Sequence, residues 1–322
     1  MEPEISVQTG VIIAVNFIII VGNILIILVL CNTNCLHNVN KLFFYSLTFA
    51  DLCLGLFITP FSILTSFFGQ WVYGDNRFCQ IEAYLTTIFW IAGLYSLMCI
   101  NVDHYIAIRR PERYNTLMSP VRCICWTVFV WFSAFSFCCP PLFALHRARY
   151  DEEAFMCIID TRLQLAYFIT AGLIMTCPPI FGLIYTISYL CSSSFRKKRE
   201  VYETILQDRA SRPWNYFMNS VASVIFTLAW IPWCVLQVHD IIYSRNQNGY
   251  RSPLHFYLLW LAIGNSFYKF FIYITMSREF RMGLRQLWSK PDCSCSASRI
   301  QEQESNVITL DTKMRNRSTM DV

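Results

Sequence analysis

Seven stretches of about 20 apolar residues recur along this chain, each long enough as a helix to cross a hydrocarbon core of about 30 Å. They run from Val11 to Leu30, Leu42 to Phe67, Cys79 to Ile108, Val121 to Leu142, Leu163 to Leu190, Tyr216 to Ile242 and Leu254 to Met276. Lipid must therefore be the solvent for most of the protein. With 55% hydrophobic and 15% charged residues among 322, the chain has too few ionised groups to cover a water-soluble globule of that size. The first stretch is too long for the core of a cleavable signal peptide, so it is expected to remain as a span.

Lysine and arginine set the expected orientation, because short basic loops stay on the cytoplasmic side. Arg109, Arg110, Arg113 and Arg122, then the basic stretch from Arg196 to Arg212, then Arg278, Arg281 and Arg285 fall on one side. The opposite breaks are poorer in cations and are offset by Asp151, Glu152, Glu153 and Asp160. This places residues 1–10 outside the cell, a membrane domain over 11–290, and a polar tail over 291–322 in the cytosol. The net charge of +5 is then a topology signal and no sign of nucleic-acid binding.

Most of the fifteen cysteines stand alone within apolar stretches, where Cys behaves as a small hydrophobe, and no metal framework or cofactor motif is evident. Cys79 and Cys157 differ. Both face the oxidising side, where a disulfide persists, and such a bond would pin the longest outer loop over the bundle. Cys293 and Cys295 follow an amphipathic stretch, Arg278 to Trp288, with Phe280, Leu284 and Leu287 at helical spacing. Palmitoylation there would anchor that helix to membrane lipid. Free cytosolic thiols are the equal alternative.

Polar residues inside the spans are costly in lipid and mark function. With them runs an ordered set of marks: Gly22-Asn23, Leu47-Thr48-Phe49-Ala50-Asp51-Leu52, Trp71-Val72-Tyr73-Gly74 in the first outer loop leading to Cys79, Trp131 with Pro140, Pro178-Pro179, and Phe226, Trp230 and Pro232. Tyr273 followed by Phe280 completes the set. This order, one match per helix over nearly the whole chain, resembles the rhodopsin-like family of G-protein-coupled receptors. The resemblance implies an all-α fold, a seven-transmembrane helix bundle with a short amphipathic eighth helix. It also implies a plasma-membrane receptor with an extracellular N-terminus, a small-molecule ligand and a heterotrimeric G protein as partner. Trp260 to Phe267 and Arg278 to Leu284 look closest to orphan receptors that neighbour the amine branch.

Proline removes a helix hydrogen bond and bends the axis, which opens space inside a bundle. Trp230, two residues before Pro232, would sit at the floor of such a space and report its occupancy. Plain packing is the equal alternative for Phe226 and Trp230.

The chain departs from the family at its switches. The family's Asp-Arg-Tyr is here Asp103-His104-Tyr105, and an imidazole is shorter than a guanidinium and only partly charged near neutral pH. Arg212 stands where many relatives place the acid that holds that Arg. Glu112 follows the loop proline, where an apolar residue is usual. In the seventh span the family's Asn-Pro-x-x-Tyr is Lys269-Phe270-Phe271-Ile272-Tyr273. Lys269 is expected to pair with Asp51, the acid that holds sodium in relatives, since each charge would otherwise stand alone at membrane depth. The alternative, a Lys269 that snorkels to the cytoplasm, must reach roughly 10 Å.

Thr86 occupies the position of the Asp that pairs with amines, and Ile263 that of the retinal-binding Lys. The expected ligand contacts are Thr86, Thr87, Trp90, Trp230, Trp233, Gln237, His255 and Trp260, aromatic and neutral polar groups suited to a small, mostly apolar molecule. An enzyme is not expected, because Asp103 and His104 are neighbours on a helix and point about 100° apart. A non-signalling protein of the same fold (decoy, uptake receptor or heteromer partner) is the main alternative. A transporter or proton channel is a third, but the chain lacks the inverted repeat of transporters.

Overall fold

Away from water a backbone can satisfy its own hydrogen bonds only by coiling or by closing a barrel. In the computed structural model, which describes residues 3–32, 38–74, 76–110, 113–143, 148–159, 165–192, 216–243 and 253–288, the spans are helices. They are α1 (Pro3–Asn32), α2 (Asn38–Phe57), α3 (Thr59–Phe68), α4 (Asn76–Arg109), α5 (Tyr114–Leu117), α6 (Pro120–Phe143), α7 (Leu165–Cys191), α8 (Tyr216–Tyr243), α9 (Pro253–Met276) and α10 (Arg278–Trp288). Seven spans among the described residues are long and apolar enough to cross a membrane, with α2 and α3 together forming the second. Phe17, Val121, Phe132 and Phe181 lie exposed on the outside of the bundle, as a lipid-facing surface requires.

Three local features differ from the sequence reading. The first helix begins at Pro3, well before Val11, and its polar Gln8 and Thr9 are buried, with the Thr9 hydroxyl donating back to the Ile5 carbonyl at 2.8 Å. The second span is not one helix: Pro60 cannot donate, and the chain is interrupted at Ile58. Thr59 Oγ1 then lies 2.9 Å from the Gly55 carbonyl oxygen and 2.6 Å from Asn16 Oδ1 on α1. The bundle is all-α as expected, and the third difference lies in the connection between two of its helices. Between α6 and α7 a hairpin of β1 (Ala148–Asp151) and β2 (Met156–Ile159) pairs Tyr150 with Cys157 in antiparallel register.

α4 is the axis of the bundle, touching α2, α6, α7, α8 and both strands. Disulfide Cys79–Cys157 ties its start to β2, and this end is called the disulfide end below. At the other end Ser277 caps α10 by accepting from the Phe280 N–H at 3.1 Å, and Arg281 donates to the Ile274 and Thr275 carbonyls that α9 leaves unsatisfied. Phe280 is fully buried against Phe270 and Tyr273. Residues 3–283 form one compact unit, and the rest of α10 belongs to a second.

Candidate functional site

At the disulfide end α4, α7, α8 and α9 surround a cavity of about 520 Å³ roofed by Met156, Cys157, Ile158 and Ile159 of β2. Thr86, Thr87 and Trp90 from α4 and Trp230, Trp233 and Gln237 from α8 line it. No Asp, Glu, Lys, Arg or His is among the lining residues. Thr86 and Thr87 donate to the Glu82 and Ala83 carbonyls, which leaves their hydroxyl oxygens available as acceptors. The Trp90 and Trp230 rings pack with centroids 4.6 Å apart, so both indoles form one wall beside Pro232.

His255 and Trp260, expected as ligand contacts, do not line this cavity. The hairpin tip fills the space they face. Trp260 Nε1 donates to the Ala154 carbonyl at 3.0 Å, and Thr65 Oγ1 lies 3.0 Å from the Phe155 carbonyl oxygen. Ala154, Phe155 and Met156 thereby join Ile58, Phe256 and Trp260 in the buried core. Phe155 takes φ 53°, a left-handed conformation unusual for a residue with a Cβ, and held here by its neighbours' hydrogen bonds. The tip is further set by Asp151, whose Oδ1 accepts from the Glu153 and Ala154 N–H groups at 3.0 and 3.2 Å. Asp151 Oδ2 faces His255 Nδ1 at 3.4 Å. Burial pushes the Asp151 carboxyl upward, but the His255 contact, the Ala154 N–H and nearby Arg149 outweigh it and hold it below the usual carboxylate range.

Halfway through the bundle Lys269 Nζ contacts Asp51 Oδ2, while Ser266 donates to Asp51 Oδ1 at 2.8 Å. Asn23 Nδ2 donates to the Ser266 carbonyl at 3.1 Å, which ties α1 to the same point of α9. Lys269 and Asp51 are 7% and 8% exposed, so the ammonium stays in the interior and does not snorkel. Two voids of about 20 Å³ each, room for single waters, flank the pair.

At the far end of α4, His104 is 2% exposed and faces Asn219 of α8, whose Nδ2 lies 3.4 Å from its Nε2. One turn inward Asn101 Nδ2 donates to Ser223 Oγ at 2.7 Å, and Ser223 Oγ donates to the Asn219 carbonyl at 2.7 Å. Asp103 points elsewhere, with Oδ1 accepting from Tyr114 Oη of α5 at 2.8 Å. Tyr105 Oη is 3.2 Å from Tyr185 Oη, its ring is 5.0 Å from that of Tyr189, and Arg109 lies over Tyr189 at 5.8 Å. Tyr273 is buried between Phe44 and Phe280. Glu112, Arg212, Cys293 and Cys295 lie outside the described residues.

Residues 22–273 match the family profile described as 7 transmembrane receptor (rhodopsin family). The chain belongs to that family. It is similar to G-protein coupled receptor 52 of Mus musculus, 26% identical over 92% of this chain and 85% of that protein. Histamine H2 receptor of Canis lupus familiaris is 24% identical over 89% of this chain and 81% of its own length. Octopamine receptor 1 of Lymnaea stagnalis is 37% identical, but over 40% of this chain and 20% of that protein. The protein is therefore a multi-pass G-protein-coupled receptor, and it is not an enzyme.

Several residues that build this receptor's polar interior escape sequence reasoning. Ser266 and Asn219 carry no signal of their own, because a Ser or Asn in a helix announces no partner until a second helix is packed on it. Tyr114 opens α5, a single turn of four residues too short to show a periodicity. Tyr185 and Tyr189, at i and i+4, did carry a signal: that spacing puts both rings on one helix face, and both meet Tyr105.

Proposed function

We propose that this receptor stands in the plasma membrane with its N-terminus outside, binds a small, mostly apolar ligand beneath the hairpin, and signals to a heterotrimeric G protein through altered switches. The cavity carries the reading: about 520 Å³ suits a drug-sized molecule, and its wall is aromatic with threonine and glutamine as the polar points. Two relatives are named for histamine and octopamine, both amines. Thr86 offers no charge to an ammonium, and no carboxylate is among the cavity's lining residues, so an uncharged ligand fits better. Thr86, Thr87, Trp90, Trp230, Trp233 and Gln237 are the proposed contacts.

The coupling end is proposed to work without the usual ionic switch. A relay of Asn101, Ser223 and Asn219 joins α4 to α8 beside His104, so release of α8 breaks hydrogen bonds between amide and hydroxyl groups. Such bonds are individually worth about 1 kcal/mol, which favours appreciable ligand-free activity over a tightly locked resting state. Cys293 and Cys295 remain proposed palmitoylation sites beyond α10. The same relay supports a second reading, a non-signalling receptor-fold protein, because His104 lacks the reach of an Arg toward a G protein.

Basal cyclic-nucleotide and calcium signalling of cells expressing the wild type and His104→Arg, normalised to surface expression, tests the proposal. The expected result is basal signal in the wild type and a changed level in His104→Arg. Silence of both at normal surface expression, under a ligand panel as well, would overturn it in favour of the second reading.

A further inference from the structure

We propose that Asp151, Glu153 and His255 form a site for a divalent transition-metal ion of the zinc class, which clamps the hairpin tip to the start of α9. Asp151 and Glu153 stand on the same hairpin and His255 on α9 about 100 residues on, and one ligand atom from each lies within 4.8 Å of the others. Asp151 Oδ2 and His255 Nδ1 are 3.4 Å apart. Two ligands at 2.0–2.1 Å from a tetrahedral ion are separated by about 3.3 Å, so this edge of a zinc site is already in place. Glu153, on the turn between the strands, has the remaining distance to close, about 1.5 Å at most.

The surroundings suit a metal. Asp151 commits Oδ1 to two backbone N–H groups, which aims Oδ2 at the imidazole, and both side chains are nearly buried, so few competing waters reach them. The edge of Trp233 packs on the His255 ring with centroids 5.1 Å apart and fixes the plane in which its nitrogens point. One imidazole and two carboxylates match zinc, cobalt or nickel. They are too few and too nitrogenous for calcium, which takes six to eight oxygens. A water would complete the tetrahedron.

The ion would act on the same tip that Trp260 and Thr65 hold by hydrogen bonds, and so would regulate how firmly the cavity's roof is seated. This inference goes beyond the proposed signalling role and stands or falls without it, because it is tested by binding to the purified receptor.

Full-length receptor in detergent, carrying a non-histidine affinity tag and stripped with a chelator, is titrated with Co2+ as a visible-absorbance probe and then with Zn2+. Tetrahedral cobalt bands displaced by Zn2+, and a thermal midpoint raised by Zn2+ but not Mg2+, are expected. His255→Gln and Glu153→Gln should each weaken Zn2+ half-saturation at least about tenfold. Asp151→Asn keeps an oxygen for the two backbone N–H groups but also alters the contact with His255 inside the hairpin's own framework, so Glu153→Gln, which leaves Asp151 and both of those bonds in place, is the decisive variant. Absence of any Zn2+ response up to about 1 mM, the limit of meaningful affinity, overturns the site. A Zn2+ response unchanged in both His255→Gln and Glu153→Gln overturns it equally, since the ion would then sit on other groups such as exposed Cys31 or Cys125.

Discussion

Replacing Lys269 by Met removes a cation from the middle of the bundle and leaves the Asp51 carboxylate with the Ser266 hydroxyl as its donor. Opposite charges about 4 Å apart attract by about 4 kcal/mol at an effective dielectric of 20, and breaking a buried pair on one side costs about 3–5 kcal/mol. Ser266 donates to the carboxylate before and after the change, so Asp51 stays partly compensated and the loss falls at the low end of that range. The net loss expected for Lys269→Met is about 3 kcal/mol. Asp51→Asn leaves Lys269 an amide oxygen as acceptor but no opposite charge, so it should cost a similar amount. Thermal unfolding of the purified receptor, followed by tryptophan fluorescence, should show midpoints lower by roughly 6–12 °C at about 2–4 °C per kcal/mol. The double variant Asp51→Asn/Lys269→Met removes both charges and should be less damaged than the sum of the singles by at least about 1 kcal/mol. Lys269→Asn vacates the position of the internal cation, so exchanging choline for Na+ should raise the midpoint of this variant and leave the wild type unmoved. Additive single losses, or a sodium shift in the wild type as large as in Lys269→Asn, would refute the ion pair as the resident charge balance.

Two further outcomes follow from the packing. Trp260→Phe keeps the ring but leaves the buried Ala154 carbonyl without its donor, at a cost of about 1–3 kcal/mol, and should speed hydrogen exchange at the Glu153 and Ala154 amides; unchanged exchange would mean that Trp260 does not seat the tip. Gly55→Ala would bring a Cβ to 2.8 Å from Ile19 Cγ2, whereas one at Gly93 meets Leu47 Cδ1 at an ordinary 3.7 Å. The first should lose about 1–3 kcal/mol and the second should be tolerated, as read by thermal midpoints; equal behaviour would contradict the close α1–α2 approach.

Much of the fold was legible because lipid imposes simple rules. Apolar runs of bilayer length must be helices, and the expected Leu254 to Met276 emerges as Pro253–Met276. The Lys269–Asp51 contact was also legible, since two lone charges at one depth have few ways to be satisfied. Where a rule applies to one residue alone, the sequence was less informative. Pro60 interrupts the second span, yet other prolines, such as Pro232, lie within continuous helices, and which occurs depends on what packs beside the freed carbonyl.

The candidate ligand site divides in the same way. Thr86, Thr87, Trp90, Trp230, Trp233 and Gln237 share the cavity because helical spacing puts them on inward faces of α4 and α8. His255 and Trp260 fall on an equally inward face, yet they hold the hairpin, because Ala154 and Phe155 reach them first.

By itself the sequence determined the number of spans, their approximate ends, the family and the charges that need partners, since each follows from hydropathy and spacing along one chain. Only the tertiary structure decided that the hairpin tip enters the core, that Asn219 stands against His104, and that Asp151, Glu153 and His255 converge. Those are meetings of side chains about 100 residues apart, and short-range periodicity carries no information about which faces of distant segments will touch.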